Sequence, residues 1–184
     1  VIQSTDDGES WSALNRGLTN LDGSTMTLDS NGAVCLGTAQ GAFRLKPSAS
    51  SWEKMGQGIP DIPLRSSLTM PDGAVCFGTS GGVYRLQGTF WEHSSEGLLS
   101  TEVTSLTHSG EREIIAGTWG AGAFHRTLPA LPLPMRFTKV DGGAFLSDTS
   151  PARATAWGDY DRDGDPDLFI ANGDGVNNQL YRYD

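Results

Sequence analysis

The stretch "GAVCLGTAQGAFRL", Gly32 to Leu45, decides the fold because it comes back. It returns 41 residues later as "GAVCFGTSGGVYRL", Gly73 to Leu86, and more loosely as "REIIAGTWGAGAFHR", Arg112 to Arg126. A related segment leads each copy: "GLTNLDGSTMTLDSNG", "GIPDIPLRSSLTMPDG" and "GLLSTEVTSLTHSGE". Trp52 and Trp91 close two of the units, and Trp11 precedes them at matching spacing.

Within a unit the pattern reads strand, "DG" or "NG" turn, apolar strand, Gly-rich turn, strand, loop, Trp-bearing strand. Four short antiparallel strands per period of roughly 40 residues is the requirement of a propeller blade. One such sheet leaves both faces uncovered, so sheets must stack to make a core. The expected fold class is therefore all-β: propeller blades of four-stranded antiparallel sheets, a fragment of one or two propellers. Cys35 and Cys76 occupy the same place on the apolar strand of successive units, where the third has Ile115. They read as small buried hydrophobes.

The composition agrees. Of 184 residues 24 are Gly, the hydrophobic content is 37%, and 22 acidic against 13 basic side chains give a net charge of −9. Nucleic acid and anionic membrane surfaces need a basic footprint, so both are excluded as partners. No run of 18 apolar residues occurs to form a membrane span.

The opening "STDDGESW" fits S-x-D-x-G-x-[ST]-W through Ser4, Asp6, Gly8, Ser10 and Trp11. It resembles the Asp-box hairpin of BNR, sialidase-like or sortilin-like propellers, with the likeness running over residues 1–127. That resemblance implies an Asp that bonds turn backbone, a Gly at positive φ and a Trp packed between blades. The "GT(A/S)xG(A/V)(F/Y)RL" units also resemble propellers of bacterial sensor ectodomains. Sialidase activity would require three clustered arginines with a Tyr and Glu pair, but Arg44, Arg85 and Arg126 fall at repeat-equivalent positions and read as blade features. No catalytic set carries over. "GTSGG" around Ser80 lacks the strand-to-helix context of a hydrolase elbow. His93, His108 and His125 lack zinc spacing.

The other dense signal is "GDYDRDGDPDL", Gly158 to Leu168. Adjacent carboxylates repel, so the run is either a solvated tract or a cation loop. Asp159, Asp161 and Asp163 fall at loop positions 1, 3 and 5, Gly164 at 6 permits a sharp turn, Asp165 at 7 offers its backbone carbonyl, and Asp167 sits at 9. Such spacing wraps oxygen ligands round Ca²⁺. Position 12 is Ile170, not the Glu of an EF-hand, and "DLFIANG" reads as a strand. With "RFTKV" (Arg136 to Val140) ahead of it, the segment 136–184 resembles the FG-GAP or VCBS repeat of integrin-like propellers, of the ASPIC/UnbV-associated type. That resemblance implies a calcium-binding blade, here incomplete. "NGDGVNN", Asn172 to Asn178, reads as a plain hairpin loop.

Between the two regions lies "TLPALPLPM", whose prolines Pro129, Pro132 and Pro134 make residues 128–135 a semi-rigid connector. It divides two propellers, the preferred reading, or it is a long loop that leaves "RFTKV" as outer strand of the preceding blade. The functional expectation is a non-enzymatic extracytoplasmic scaffold with a structural Ca²⁺ loop, presenting loops to a protein or glycan ligand, since extracellular modules bind calcium in the millimolar range. The alternatives are a fragment of a sialidase-like glycoside hydrolase or lyase, and the ligand-sensing ectodomain of a bacterial receptor.

Overall fold

The computed structural model describes residues 1–109, 113–127, 138–139, 151–158, 160–161 and 167–181. Every regular element among them is a strand. A hairpin of β1 (Ile2–Gln3) and β2 (Ser12–Ala13) comes first. The first sheet follows with β3 (Gly23–Leu28), β4 (Val34–Thr38), β5 (Gly41–Leu45) and β6 (Glu53–Lys54). The second holds β7 (Leu64–Thr69), β8 (Val75–Thr79), β9 (Gly82–Gln87) and β10 (Phe90–His93). The third holds β11 (Val103–Ser109), β12 (Glu113–Thr118), β13 (Gly122–Thr127) and β14 (Thr138–Lys139). The fourth has three strands among the described residues: β15 (Ala152–Gly158), β16 (Asp167–Asn172) and β17 (Gln179–Tyr181). All four sheets are antiparallel meanders in chain order.

Local chemistry explains the repeated turns. Gly32 and Gly73 take φ of 75° and 82° at the first turn of their units, where any other residue would be strained. Asp29 Oδ1 accepts the Asn31 and Ala33 N–H groups, and Asp72 Oδ1 accepts that of Ala74. Arg44 lies 3.1 Å from Asp29 and Arg85 2.6 Å from Asp72, so these arginines brace the turns of their own sheets. At the second turn Thr38, Thr79 and Thr118 each donate their hydroxyl to the carbonyl of Gly41, Gly82 and Gly122, at 2.9, 2.9 and 2.8 Å. The three threonines are fully buried, so the bond satisfies a group that would otherwise cost about 1–3 kcal/mol.

Packing runs from sheet to sheet through their first strands: β3 lies against β7, β7 against β11 and β11 against β15. The glycines before Thr38 and Thr79 make this approach possible in the first two seams. A Cβ on Gly37 would stand 2.9 Å from Leu64 Cβ, and one on Gly78 2.6 Å from Val103 Cγ1, both in the next sheet. Cys35, Leu64, Val75, Phe77 and Trp91 fill the space between the first two sheets. Met70, Cys76, Val103, Leu106 and Ile114 fill the next, and Ile115, Ala123, Ala152, Leu168 and Ile170 the last. Both cysteines are free and buried, as small core hydrophobes. Burial pushes the Cys76 thiol up to about 12 and raises that of Cys35. Hydroxyls line the rest of the seam, with Thr25 to Ser67 at 2.7 Å and Thr27 to Thr69 at 3.0 Å.

Trp52 and Trp91 staple consecutive units. Their indole N–H groups donate to Leu14 O and Met55 O, both at 2.8 Å, in the segments that follow β2 and β6. Trp11 differs: it is 60% exposed and donates to Gly8 O within its own hairpin. "RFTKV" also departs from the preferred reading. Thr138 and Lys139 pair with His125 and Phe124 of β13, so this strand is the outer strand of the third sheet, the alternative that the sequence left open. The proline run itself lies outside the described residues.

Candidate functional site

Register, not motif, builds the site that the described residues form. In each first strand the pairing slips once: between Gly23 and Thr25, Leu64 and Ser66, Val103 and Ser105, and Ala152 and Ala154. The residue skipped is Ser24, Arg65, Thr104 or Arg153, a β-bulge at the same place in all four sheets. A bulge leaves its extra residue outside the ladder and re-aims the side chain. These four residues, with Glu102 and Trp119, line one cavity of ≈ 530 Å³. That volume lies within the range of small-molecule pockets.

Each bulge residue reaches into the neighbouring unit. Ser24 Oγ donates to Leu64 O, and Thr104 Oγ1 donates to Ala152 O, so the two hydroxyls clasp adjacent first strands. Arg65 Nη2 lies 3.0 Å from Glu102 Oε1. Arg153 holds its guanidinium 5.0 Å from the centroid of the Trp119 ring and places Nη2 3.1 Å from Asp174. Gly173 makes room for it, since a Cβ there would collide with Arg153 Nε and Cδ. Arg65 and Glu102 are 43% and 38% exposed, which limits such a pair to about 0–1 kcal/mol. The pairs therefore orient the guanidiniums more than they stabilise the fold.

The sequence reading missed this site. Its signal lay in the leading segments, where similar copies carry Ser24, Arg65 and Thr104 at one position. Trp119 falls where the earlier units have Ala39 and Ser80, the serine of the rejected hydrolase motif.

The opening hairpin gives its predicted residues a compact geometry. Asp6 Oδ1 accepts the Ser10 N–H at 2.9 Å and Oδ2 the Ser10 hydroxyl at 2.5 Å, while Ser4 Oγ donates to Asp6 Oδ1 at 2.8 Å and accepts the Gly8 N–H at 2.8 Å. These bonds to Ser10 and Ser4 lower the Asp6 pKa to about 2. Gly8 has φ 93°. The turn is self-contained and lies at the surface.

Of the acidic loop, Asp161 and Asp167 are described, and Asp159, Asp163 and Asp165 lie outside the described residues. Gly158 at the end of β15 pairs with Asp167 at the start of β16, so the loop joins neighbouring strands, with its ends about 5 Å apart. Asp167 is 1% exposed, and its Oδ2 accepts the Tyr160 N–H at 2.8 Å. Position 9 thus turns its carboxylate back toward position 2, and Asp161 is half-buried. Among the described residues no three His, Cys, Asp or Glu side chains gather as a metal cluster. Asp174 lies in the β16–β17 hairpin loop on Arg153. His93 Nε2 is engaged by Gly81 O at 2.9 Å and Ser95 Oγ at 2.8 Å, a turn contact and not a ligand position.

The site thus belongs to an all-β protein of stacked four-stranded meanders. The same fold occurs in the extracellular domains of two B. thetaiotaomicron proteins of the hybrid two-component type. BT4673 superposes with a TM-score of 0.67 at 16% identity, over 95% of this chain and 23% of that one. BT3049 gives 0.69 at 16% identity, over 93% and 24%. The computationally designed Ika4 protein gives 0.65 at 16% identity, over 90% of this chain and 92% of its own. The chain spans about a quarter of the length of the two bacterial domains. No family's sequence profile and no curated protein matches it. No helix among the described residues is long and apolar enough to cross a membrane.

Proposed function

We propose that this chain is a segment of an extracytoplasmic β-propeller that binds a ligand in the ectodomain of a sensor, without catalysing a reaction. The observation that carries the reading is the fourfold bulge. One backbone device, repeated in four stacked sheets, directs Ser24, Arg65, Thr104 and Arg153 into a single cavity. A constant scaffold with variable residues at one shared position is how repeat folds build binding surfaces. The Asp-box and FG-GAP resemblances and the fold shared with sensor ectodomains support the propeller and its compartment. The ligand is a glycan or a protein loop.

The acidic loop supplies a structural calcium site to the fourth sheet. Asp159, Asp161, Asp163 and Asp167 would hold Ca²⁺ with the Asp165 carbonyl. The Asp167 carboxylate fits this role by its place, buried at the loop's end and turned back toward Tyr160 at position 2. Bound calcium contributes charge neutralisation and rigidity there. Calorimetric titration of the chain with Ca²⁺ tests this half, and equal heats from wild type and Asp161→Ala would refute it. The binding half is tested on a glycan and peptide library with calcium present: hits lost in Arg65→Ala are expected, and an Arg65→Ala that retains every hit removes the cavity from the reading.

A further inference from the structure

The chemistry lining the cavity is specific enough to name a ligand class. Donors and acceptors are divided between different residues. Ser24 and Thr104 spend their hydroxyl protons on Leu64 O and Ala152 O, so each faces an incoming ligand with lone pairs only. Glu102 is also an acceptor. These three groups call for ligand hydroxyls, which donate.

Arg65 and Arg153 are the cavity's cations. Each has an ion pair through Nη2, to Glu102 and to Asp174. A guanidinium carries five N–H donors in a fixed fork, so one engaged nitrogen leaves donors for an anionic oxygen, and the existing pair fixes the plane in advance. Trp119 adds an apolar ring, 37% exposed, beside that anion position. The paired carboxylates leave these four groups neutral in sum, so an anion is held by the remaining donors of the two forks and not by an excess of positive charge.

Hydroxyls, an anionic group and a C–H face occur together in an acidic sugar. We infer that the cavity binds an acidic saccharide, its carboxylate or sulfate held by Arg65 and Arg153, its hydroxyls donating to Glu102, Ser24 and Thr104, and its ring edge against Trp119. The inference rests on the proposed reading of the cavity as a binding site and narrows it. Arg153 is placed by Trp119, Asp174 and the room left at Gly173, so Gly173→Ala moves it and weakens the anion position without removing a charge.

The test is calorimetric titration of the 184-residue chain, with calcium present, against digalacturonate, a sulfated galactose disaccharide and lactose. Binding of one or both acidic probes, at least tenfold tighter than lactose and weakened by salt, is the expected result. Arg65→Ala and Arg153→Ala each lower the affinity about tenfold or more, as loss of a charge-assisted bond does. The relative strength of the two acidic probes tells carboxylate from sulfate. Thermal melting confirms that each variant is folded; should an alanine variant not fold, Arg65→Lys and Arg153→Lys keep the charge and remove the fork, and a loss of affinity is still expected. Lactose bound as tightly as the acidic probes overturns the inference while leaving the cavity a binding site. Absence of binding to both acidic probes overturns it, as does affinity unchanged in folded arginine variants.

Discussion

The turns of the first two sheets and the acidic loop of the fourth manage carboxylates in different ways. In the first two, a charged turn residue finds its partner within the same sheet: Asp29 with Arg44, Asp72 with Arg85. Asp6 goes further, since hydroxyl and amide donors of its own turn satisfy it without any cation. The fourth sheet instead gathers five aspartates in one loop, with Arg162 as the single cation among them. One carboxylate can be neutralised by hydrogen bonds from a tight turn. Five that share a loop compete for the same few N–H groups, and on our proposal a divalent ion settles the competition.

The largest effect is expected from breaking that contrast at the loop. Chelator added to calcium-loaded chain should lower the melting temperature by about 5–10 °C, the linkage energy of about 2.7 kcal/mol at a hundredfold excess over Kd taken at 2–4 °C per kcal/mol. Asp167→Ala should abolish the response. A melt indifferent to calcium would mean that solvent alone tolerates the carboxylates, and the contrast between the sheets would vanish.

Next comes the seam of the first three sheets. Gly78→Ala forces a methyl against Val103 and should cost about 1–3 kcal/mol by overpacking, read as a lower urea midpoint at unchanged slope. Trp91→Phe follows, removing the N–H that Met55 O accepts, with about 1 kcal/mol lost. The exposed Trp11→Phe should stay within about 0.5 kcal/mol. Equal costs for the two would mean that stapling between units is not what the buried indole does.

The smallest effect concerns Asp6. Its carboxyl is lowered from 3.8 to about 2, so the folded state binds its proton less readily than the unfolded chain. The contribution to the hairpin is therefore present above about pH 4 and lost as the pH falls through about 2. The Ser10 and Gly8 amide resonances should titrate in that window and be flat above it, and Asp6→Asn should remove the titration. A midpoint near 3.8 would show that the turn does not hold the carboxylate.

Much of this was legible in the chain. The 41-residue return of "GAVC(L/F)GT" announced the meanders, and its Gly and Thr proved to be the close approach and the turn clamp. Which of two sheets "RFTKV" joins was left open, because two short segments across a proline run have no periodicity to set their pairing. Trp11 reads like Trp52 and Trp91 in sequence, yet its environment depends on what lies beside the first hairpin.

Sequence alone determined the strands, the turns and the order of the sheets, because alternation and turn chemistry act over a few neighbouring residues. Tertiary structure alone decided that Ser24, Arg65, Thr104 and Arg153 share a cavity. A bulge breaks the two-residue rhythm from which a side chain's direction is read, and it forms here where the first strands of neighbouring sheets meet.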